Sequence, residues 1–582
     1  MSESTSDVVQ PRAEKRRSQI TSLLLWLPPL VFLLLFYFYP LGSIFEISLS
    51  RSEEGIWAVL QDVLASSRIR GVIGFTLGQA LLSTILTLFF GLPGAYLVAR
   101  YNFRGKSLLM ALTGIPFVMP TLVVAAAFNA LLGPRGWINL GLMGIFNLNL
   151  PPIQFTNTLG AILIAHVFYN TTIVLRILGD FWSHLDPRME QAAQVLGANR
   201  FQVLRKVTLP LLSPALAAAA LLVFIFDFTS FGVILVLGGP RFATLEVEIY
   251  NQTIQFFNLP LAAVLSIIQL VMTLGLTILY SRLTSRLNRP INLRPQAITQ
   301  RRLNTWRSRL FAGAVITLLL TLLVLPLASL ALRSVTRLEA DMGQRGEVSQ
   351  GLTLDYYREL SVNRRGSLFF RPPSTAISVS LGYAAITVLL ALALGLPAAW
   401  ALAGNQNSTA SRLFDPLLML PLGTSAVTLG FGFLVAFDQP PLDLRASPVL
   451  IPLAHTLVAF PFVVRSLTPA LRSIRPNIRQ AAAVLGASPG RVFRLVDLPL
   501  IGRALLVAAV FAFTISIGEF GATALIYRPE FPTVPIAIFR YLSQPGGLNY
   551  GQALALSTIL MVITGGGLLA IERFRVAEIG EF

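Results

Sequence analysis

Few side chains in this sequence are of a type that could perform covalent or metal chemistry. The 582 residues include no cysteine and only three histidines, His166, His184 and His455. The missing thiols exclude disulfides, thiolate metal sites and cysteine nucleophiles, and three separated histidines argue against a histidine-built metal centre. No Gly-x-x-x-x-Gly-Lys-Ser/Thr loop is present, so a nucleotide site of that type is excluded. An intramembrane enzyme would need clustered His, Asp or Glu, and the sequence has no such cluster.

Two carboxylates lie within apolar sequence. Asp227 stands in Phe-Asp-Phe-Thr-Ser, and Glu519 stands in Ser-Ile-Gly-Glu-Phe-Gly. Charged groups at mid-membrane are costly, and they commonly mark a transport path or a buried pair. A structural role at a helix end is the favoured interpretation, and a place on a cation path is the alternative. His166 and His455 are interpreted as hydrogen-bonded packing residues, and His184 as solvated.

The composition places the chain in a membrane. Hydrophobic residues make up 54% of it and charged residues only 12%, whereas soluble chains carry about a quarter charged residues. The net charge of +18 would suggest nucleic acid for a soluble protein, but in a membrane protein it indicates basic cytoplasmic loops. We therefore expect an all-α integral membrane protein in contact with lipid, without a nucleic-acid partner.

Apolar stretches of about 20 residues, the length that crosses a bilayer, occur twelve times. Their predicted limits are 21–47, 72–98, 107–132, 157–178, 213–238, 259–281, 310–332, 377–402, 412–437, 448–468, 504–526 and 549–571. The first is too long and too aromatic for a cleaved signal peptide, so we expect it to remain as a helix. Residues 1–20 and 573–582 are predicted to be cytoplasmic tails.

The placement of arginine predicts the orientation, because cytoplasmic loops collect Lys and Arg. The N-terminal tail and the loop after the second span are basic, and the linker 282–309 holds eight arginines and no acid. With alternating spans all three fall on one side, so both termini are predicted to be cytoplasmic. Residues 333–376 are assigned outside, although they hold seven arginines beside five acids.

A long internal repeat divides the chain. Residues 190–216 and 479–505 align at a constant offset of 289, and the register extends from His166/His455 through Phe231/Phe520 to Thr244/Thr533. Identical pairs within the repeated loop are Gln191/Gln480, Ala192/Ala481, Ala193/Ala482, Leu196/Leu485, Gly197/Gly486, Leu209/Leu498 and Pro210/Pro499. Further upstream, Gly-Leu-Pro at 91–93 matches Gly-Leu-Pro at 395–397 with an offset of 304, which an insertion explains. This pattern indicates duplication.

Each half of the chain contains six predicted spans, in residues 21–281 and 310–572. Because six is even, the two halves insert with the same orientation and are related by an axis along the membrane normal. A substrate path is expected between them. Pro116, Pro120 and Pro421 should bend helices that line this interface.

Each copy of the repeated loop has the properties of a docking element. The segment 191–197 combines helix formers with a glycine suited to a helix C-terminus, and small Ala192 and Ala193 permit close approach of another backbone. A basic amphipathic stretch, 201–207, follows and is expected to break at Leu209-Pro210. A plain connector is the alternative, but two copies with the same glycine-to-proline spacing disfavour it.

The repeated loops resemble the EAA loop of binding-protein-dependent ABC importer permeases. In that family Ala-Ala, a following glycine and a later Leu-Pro form a coupling helix that is seated in a groove of the ATPase subunit. Gln191 and Gln480 depart from the usual glutamate, which could weaken a salt bridge to that subunit. Fusion of two halves, with Ser-Ile-Gly-Glu-Phe-Gly at 516–521 and Gly-Leu-Asn-Tyr-Gly-Gln at 547–552, is similar to the ferric-iron and thiamine permease group over residues 20–572.

This resemblance implies a type I ABC importer permease fold, with about twelve helices in a bacterial inner membrane. It implies no covalent chemistry and no cofactor in this chain. ATP would bind to two separate cytoplasmic ATPase subunits that contact 191–197 and 480–486, and a separate extracytoplasmic solute-binding protein would deliver the solute. Ferric iron is the first expectation for the solute, and thiamine or another small solute is the alternative. A twelve-helix secondary transporter is a remote alternative, since it has no use for two such loops.

Overall fold

The computed structural model shows a helical membrane protein. It describes residues 25–49, 61, 63, 65–287, 299–338, 351–362, 371–404, 409–440 and 442–579. The predicted tail 1–20 lies outside these residues, as does part of the linker, 288–298. At the other end the last helix continues to Ile579, beyond the predicted boundary at 572.

The first half is built from helices of very different lengths. They are α1 (Leu25–Leu49), α2 (Ser67–Arg100), α3 (Lys106–Val118), α4 (Thr121–Leu132), α5 (Trp137–Phe146), α6 (Leu159–His184), α7 (Pro187–Val195), α8 (Arg200–Phe228), α9 (Gly232–Leu237), α10 (Leu245–Tyr250) and α11 (Leu259–Leu287).

The second half is also built from helices of different lengths. They are α12 (Trp306–Leu323), α13 (Leu325–Ser334), α14 (Asp355–Arg358), α15 (Pro373–Gly404), α16 (Thr409–Met419), α17 (Ala426–Ala436), α18 (Leu450–Ser473), α19 (Pro476–Val484), α20 (Pro489–Gly518), α21 (Thr523–Ile526), α22 (Val534–Leu542) and α23 (Gly547–Ile579). The bounds of α7 and α19 differ by the offset of 289 seen in the sequence.

Two short strand pairs form outside the helices, and the first of them joins segments that are distant in sequence. Strand β1 (Tyr101–Asn102) pairs in parallel with β2 (Arg301–Arg302), and β3 (Thr336–Arg337) pairs antiparallel with β4 (Gly351–Leu352). The first pair holds the Arg-rich linker against the loop that follows α2. These two basic segments, which the sequence places on one side of the membrane, are therefore neighbours.

The number of membrane spans agrees with the prediction. Within the described ranges, eleven helical segments are long and apolar enough to cross a membrane, with α4 and α5 counted as the single segment Thr121–Phe146. A twelfth results if the pair Thr409–Gly423 and Ala426–Ala436 counts as one span. That pair is bent by 95°. The predicted ninth span, 412–437, is therefore sharply bent, as the sequence predicts for a helix that contains Pro421. A 3₁₀ turn that contains Pro421 interrupts it, because proline cannot supply the N–H that a continuing helix needs.

The predicted third span, 107–132, is also interrupted. Helix α3 ends at Val118 and α4 begins at Thr121, while Met119 between them is extended with ψ 134°. The residue before a proline is disfavoured in the helical region, and Pro120 follows Met119. Pro116, by contrast, is accommodated inside α3.

The fifth span of each half begins and ends earlier than predicted. In the first half the helix is α8, which stops at Phe228 instead of continuing to residue 238. In the second half it is α20, which stops at Gly518 instead of continuing to residue 526. In both halves the chain past this point folds back as short helices, so the long apolar stretch in the sequence is only partly a span.

The expected break at Leu209-Pro210 does not occur. A π-helical turn over Leu204–Thr208 precedes the proline, and the helix continues through it. The wider turn shifts the hydrogen-bond register, so the missing proline N–H is tolerated. An equivalent π-helical turn over Phe493–Asp497 precedes Pro499.

Glycines let the second and fourth spans of each half pack closely. A Cβ at Gly91 would lie 2.8 Å from Cγ1 of Val174, and one at Gly395 would lie 2.5 Å from Cγ1 of Val463. Real Cβ atoms do not approach so closely, so both positions need a residue without a side chain. The matching contacts join α2 to α6 and α15 to α18.

The first helix of each half packs on the opposite half. The hydroxyl of Tyr37 in α1 hydrogen-bonds Oγ1 of Thr424 at 2.8 Å. The ring of Phe311 in α12 lies 5.8 Å from that of Tyr96 in α2. This crossed packing ties the halves together around their shared interface.

Candidate functional site at the interface of the two halves

A cavity of about 430 Å³ lies between the two halves. Its polar lining includes Tyr169, Asn170, Asp227 and Glu246 from the first half and Ser425 from the second. Cavities that bind small molecules typically measure about 300–1,000 Å³. The cavity therefore lies where the sequence predicts a substrate path, and it is large enough for a small solute.

Asp227 places a carboxylate on the cavity wall near the end of α8. The residue is 1% exposed. Its Oδ1 accepts a hydrogen bond from Nδ2 of Asn170 at 2.7 Å and lies 3.4 Å from Nδ1 of His166. Its Oδ2 is buried and has no hydrogen-bond partner among the described residues. Burying an unpaired carboxylate oxygen costs free energy, so this wall favours an incoming donor or cation.

His166 is held by hydrogen bonds from neighbouring helices. Its Nδ1 lies 2.9 Å from Oγ of Ser83, and its Nε2 lies 2.8 Å from Oγ of Ser230. Within the described ranges, no group of three or more His, Asp or Glu is placed to hold a metal ion. These contacts fit the packing role that the sequence suggests.

His455 repeats the arrangement with the acid and the serine exchanged. Its Nδ1 lies 2.8 Å from Oγ of Ser516, and its Nε2 lies 2.8 Å from Oγ1 of Thr523 and 3.3 Å from Oε2 of Glu519. In the first half Asp227 precedes Ser230 by three residues. In the second half the order is reversed, and Ser516 precedes Glu519 by three residues. Each histidine thus contacts one acid and two hydroxyl side chains.

Glu519 stands just beyond the end of α20 and is not among the residues that line the cavity. The sequence placed it inside the eleventh span. Its carboxylate accepts the backbone N–H groups of Ala522 at 2.7 Å and Thr523 at 3.0 Å. These bonds stabilise the start of α21, which fits the structural interpretation of this acid better than a place on the path.

Glu246 is a second carboxylate on the cavity wall, and it is not among the site residues that the sequence predicts. It lies in α10, is 2% exposed, and accepts a hydrogen bond from Nε2 of Gln269 at 3.4 Å. The sequence assigned this segment to the connection between the fifth and sixth spans. The available signal was the run Leu245–Tyr250, in which acids alternate with large apolar residues that an exposed loop would not need.

An aromatic pair joins the two halves at the cavity. Phe231 and Phe520, which are equivalent in the repeat, stack with ring centroids 5.4 Å apart and planes 21° apart. Both rings line the cavity, and both follow the end of a fifth span. Residues related by the repeat can touch in this way only close to the pseudo-two-fold axis.

The repeated loops have the same local structure. Helix α7 ends in front of Gly197, which has φ +87°, and α19 ends in front of Gly486, which has φ +82°. In the first loop the N–H of Ala198 donates to Ala193 O, and the N–H of Gly197 donates to Gln194 O, both at 3.0 Å. This is the Schellman pattern of helix termination, which favours glycine at the left-handed position.

Large apolar side chains are exposed at the tips of both loops. Val195 and Leu196 are each 87% exposed, and their equivalents Val484 and Leu485 are 88% and 87% exposed. Of the other predicted contact residues, Gln191, Ala192, Gln480 and Ala481 are also exposed, and Ala193 and Ala482 are partly buried. Leu209-Pro210 and Leu498-Pro499 lie instead within α8 and α20, away from the tips.

A polar tether fastens each loop to its fifth span. In the first loop Glu190 Oε1 lies 2.5 Å from an Arg100 guanidinium nitrogen and accepts a hydrogen bond from Thr208 at 3.0 Å. In the second loop the equivalent of Glu190 is Arg479, which donates to Asp497 at 2.7 Å. The charge is inverted between the two copies, but the connection is kept.

One known protein family matches part of this chain, and known proteins align with most of it. Residues 91–289 match the family described as "Binding-protein-dependent transport system inner membrane component". The thiamine transport system permease protein ThiP of Brucella abortus (strain 2308) is 30% identical over 498 residues, which cover 84% of this chain and 85% of the relative. ThiP of Escherichia coli (strain K12) is 26% identical over 528 residues, which cover 87% of this chain and 91% of the relative.

A solved structure of a bacterial ABC transporter involved in the import of the acidic polysaccharide alginate also matches. Its TM-score is 0.38 at 19% identity, and the match covers 48% of this chain and 98% of the solved one.

Proposed function

The chain belongs to the binding-protein-dependent ABC importer permeases, as a fused member with both halves in one polypeptide, and from this premise we propose that it imports thiamine. Two relatives that align over most of the chain are named as thiamine permeases. Ferric iron, the first expectation from the sequence, has no comparable support among them. As a permease subunit the chain is not itself an enzyme.

We also propose that two separate ATPase subunits drive this import, and the exposed apolar tips of the two repeated loops support this. Apolar side chains that are almost fully exposed at two equivalent places are typical of protein contact surfaces. Leu196 and Leu485 would insert into the ATPase subunits, and the small alanines beside them would allow close approach.

Helix α8 supplies a rigid connection from the first tip to the cavity. It has 29 residues, which corresponds to roughly 43 Å of helix. Its first turn follows the loop that Glu190 tethers, and its last turn carries Asp227. A displacement of the tip would therefore move the cavity wall, which is the motion that ATP binding on the partner subunits would supply.

Uptake of radiolabelled thiamine tests the substrate. The chain would be produced with its ATPase and solute-binding protein in a host that lacks its own thiamine importer. We expect uptake that depends on ATP hydrolysis, with a hydrolysis-deficient ATPase subunit as the control. Uptake of chelated ferric iron, with no uptake of thiamine, would overturn the proposal.

Leu196→Asp and Leu485→Asp test the docking surface. Both side chains are exposed, so the substitutions should leave the fold intact while ATPase subunits no longer co-purify. Leu352→Asp is the matched control, because Leu352 is 86% exposed but lies in β4, away from both loops. Normal co-purification of the ATPase with both variants would contradict the assignment.

The same proposal fixes the orientation of the chain in the membrane. The loop tips and the linker lie in the cytoplasm, and a solute-binding protein acts from the other side. A reporter inserted in the linker 282–309 should be cytoplasmic, and one inserted after Leu352 should be external. Both reporters on one side would refute the alternation of spans.

A further inference from the structure

We propose that the cavity between the halves is a binding site for an organic cation, balanced by the carboxylates of Asp227 and Glu246 and held between aromatic walls. The choice of thiamine as the cation rests on the proposed function above. The site itself rests on the residues that line the cavity.

The charges that line the cavity have one sign. Its lining includes two carboxylates and no lysine or arginine. Among the described residues, neither Asp227 nor Glu246 lies within salt-bridge distance of a lysine or an arginine. The neighbouring Glu248 differs, since it forms a 3.0 Å salt bridge with Arg68 and does not line the cavity. Two acids without a lysine or arginine partner are therefore the groups of this lining that can supply negative charge to an entering cation.

The orientation of Asp227 strengthens this inference. Asn170 occupies one carboxylate oxygen, and the other is buried without a hydrogen-bond partner among the described residues. Membrane segments rarely retain such a group without a functional reason. A cation that enters the cavity supplies the missing partner, and its attraction is stronger there than in water because the surrounding dielectric is lower.

The walls favour an organic cation over a metal ion. Aromatic rings from both halves face the cavity, among them Phe117, Tyr169, Phe231 and Phe520. Cations that are spread over a ring system bind well against aromatic faces. A hard metal ion instead takes about six oxygen ligands in a tight shell, and no group of three or more His, Asp or Glu is placed to hold one among the described residues. Thiamine, with a permanently charged thiazolium ring and an aminopyrimidine ring, has the chemistry that this cavity would accept.

Direct binding tests the site. The permease with its ATPase subunits, in lipid nanodiscs, would be titrated with radiolabelled thiamine and with its neutral deaza analogue, in which carbon replaces the charged ring nitrogen. We expect the wild-type protein to bind thiamine at least about tenfold more tightly than the analogue, because only thiamine gains the attraction of two carboxylates.

Asp227→Asn and Glu246→Gln keep the side-chain shape and remove the charge. Each should weaken thiamine binding by about tenfold and leave binding of the neutral analogue unchanged. Glu248→Gln is the matched control, two residues away on the same helix, and it should keep the wild-type preference for the cation. Thermal unfolding of each variant shows whether it is folded. If one of the two cavity variants is not folded, the other alone suffices to test the site.

The outcomes separate the site from the proposed substrate. If wild-type cells take up thiamine but both cavity variants keep the wild-type preference, the cation site is wrong while thiamine import stands. If wild-type cells take up no thiamine, thiamine import is wrong, and tetraethylammonium then serves as the probe. Binding of that ion by the wild type and its loss in both variants would retain the cation site, whereas absent or unchanged binding would overturn it.

Discussion

Ser230 and Glu519 occupy equivalent positions in the two halves, and each contacts Nε2 of the histidine in its own half. The distances are 2.8 Å from Ser230 to His166 and 3.3 Å from Glu519 to His455. The two halves thus keep the same contact with side chains of different charge. As a result, Asp227 of the first half lines the cavity, whereas Glu519 of the second half accepts backbone N–H groups at the start of α21.

The contacts of His455 with Glu519, Ser516 and Thr523 predict that this histidine stabilises the fold. In His455→Ala, Ser516 and Thr523 lose a hydrogen-bond partner and Glu519 loses a neighbouring donor. We expect a loss of stability of about 1–3 kcal/mol, measured as a lower midpoint of thermal unfolding in detergent. His184→Ala is the control, because that side chain is partly exposed and bonds only within its own helix.

Transport per folded molecule distinguishes this role from ligand binding. If His455 acted on the solute, His455→Ala would lose uptake per folded transporter without any change in the unfolding midpoint. That result would contradict the packing role.

The sequence predicts most of this fold because its main signals are local or repeated. Apolar length predicts the spans, and the offset of 289 predicts the shared shape of the loops around Gly197 and Gly486. Features that depend on packing across the chain were not predictable. The cavity position of Glu246 depends on the fold-back after α8, and the crossed packing of α1 depends on contacts with the opposite half.

The conformation of Gly197 predicts a difference between two substitutions. A Cβ at this position would meet no atom within 4 Å, so only the backbone limits the residue. Valine strongly disfavours the left-handed region, at a cost of roughly 1–2 kcal/mol, whereas asparagine tolerates it. Gly197→Val should therefore lower transport-coupled ATP hydrolysis, and Gly197→Asn should retain most of it.

Gly486→Val and Gly486→Asn provide the same comparison in the second loop. If valine and asparagine lowered transport-coupled ATP hydrolysis equally, the ATPase subunit would exclude any side chain at the glycine. The explanation from backbone conformation would then be wrong. In Gly197→Glu both effects should combine, since glutamate adds backbone strain and a charge, so we expect transport-coupled ATP hydrolysis to fall.

The tether between Arg479 and Asp497 predicts a coupled pair of mutations. Asp497 is buried, with a side chain 2% exposed, so its partner should matter more than in a surface ion pair. Arg479→Gln and Asp497→Asn should each lower thermal stability and coupled ATP hydrolysis. The double variant should lose less than the sum of the two, by roughly 0.5–3 kcal/mol of interaction energy in a double-mutant cycle. Additive effects would show that the pair does not connect the loop to α20.

The stacked pair of Phe231 and Phe520 predicts that the two halves must separate at this point during transport. Because the chain has no cysteine, Phe231→Cys combined with Phe520→Cys introduces the only thiols. A short bifunctional thiol reagent should link them, and the link is detected when the halves stay joined after cleavage at a protease site engineered in the linker 282–309. We expect uptake by the linked transporter to fall to the level seen with a hydrolysis-deficient ATPase and to return when a cleavable reagent is reduced. Each single cysteine variant, treated with the same reagent, controls for modification without linking. Full uptake by the linked transporter would mean that the aromatic pair stays closed throughout the cycle and that the solute passes elsewhere.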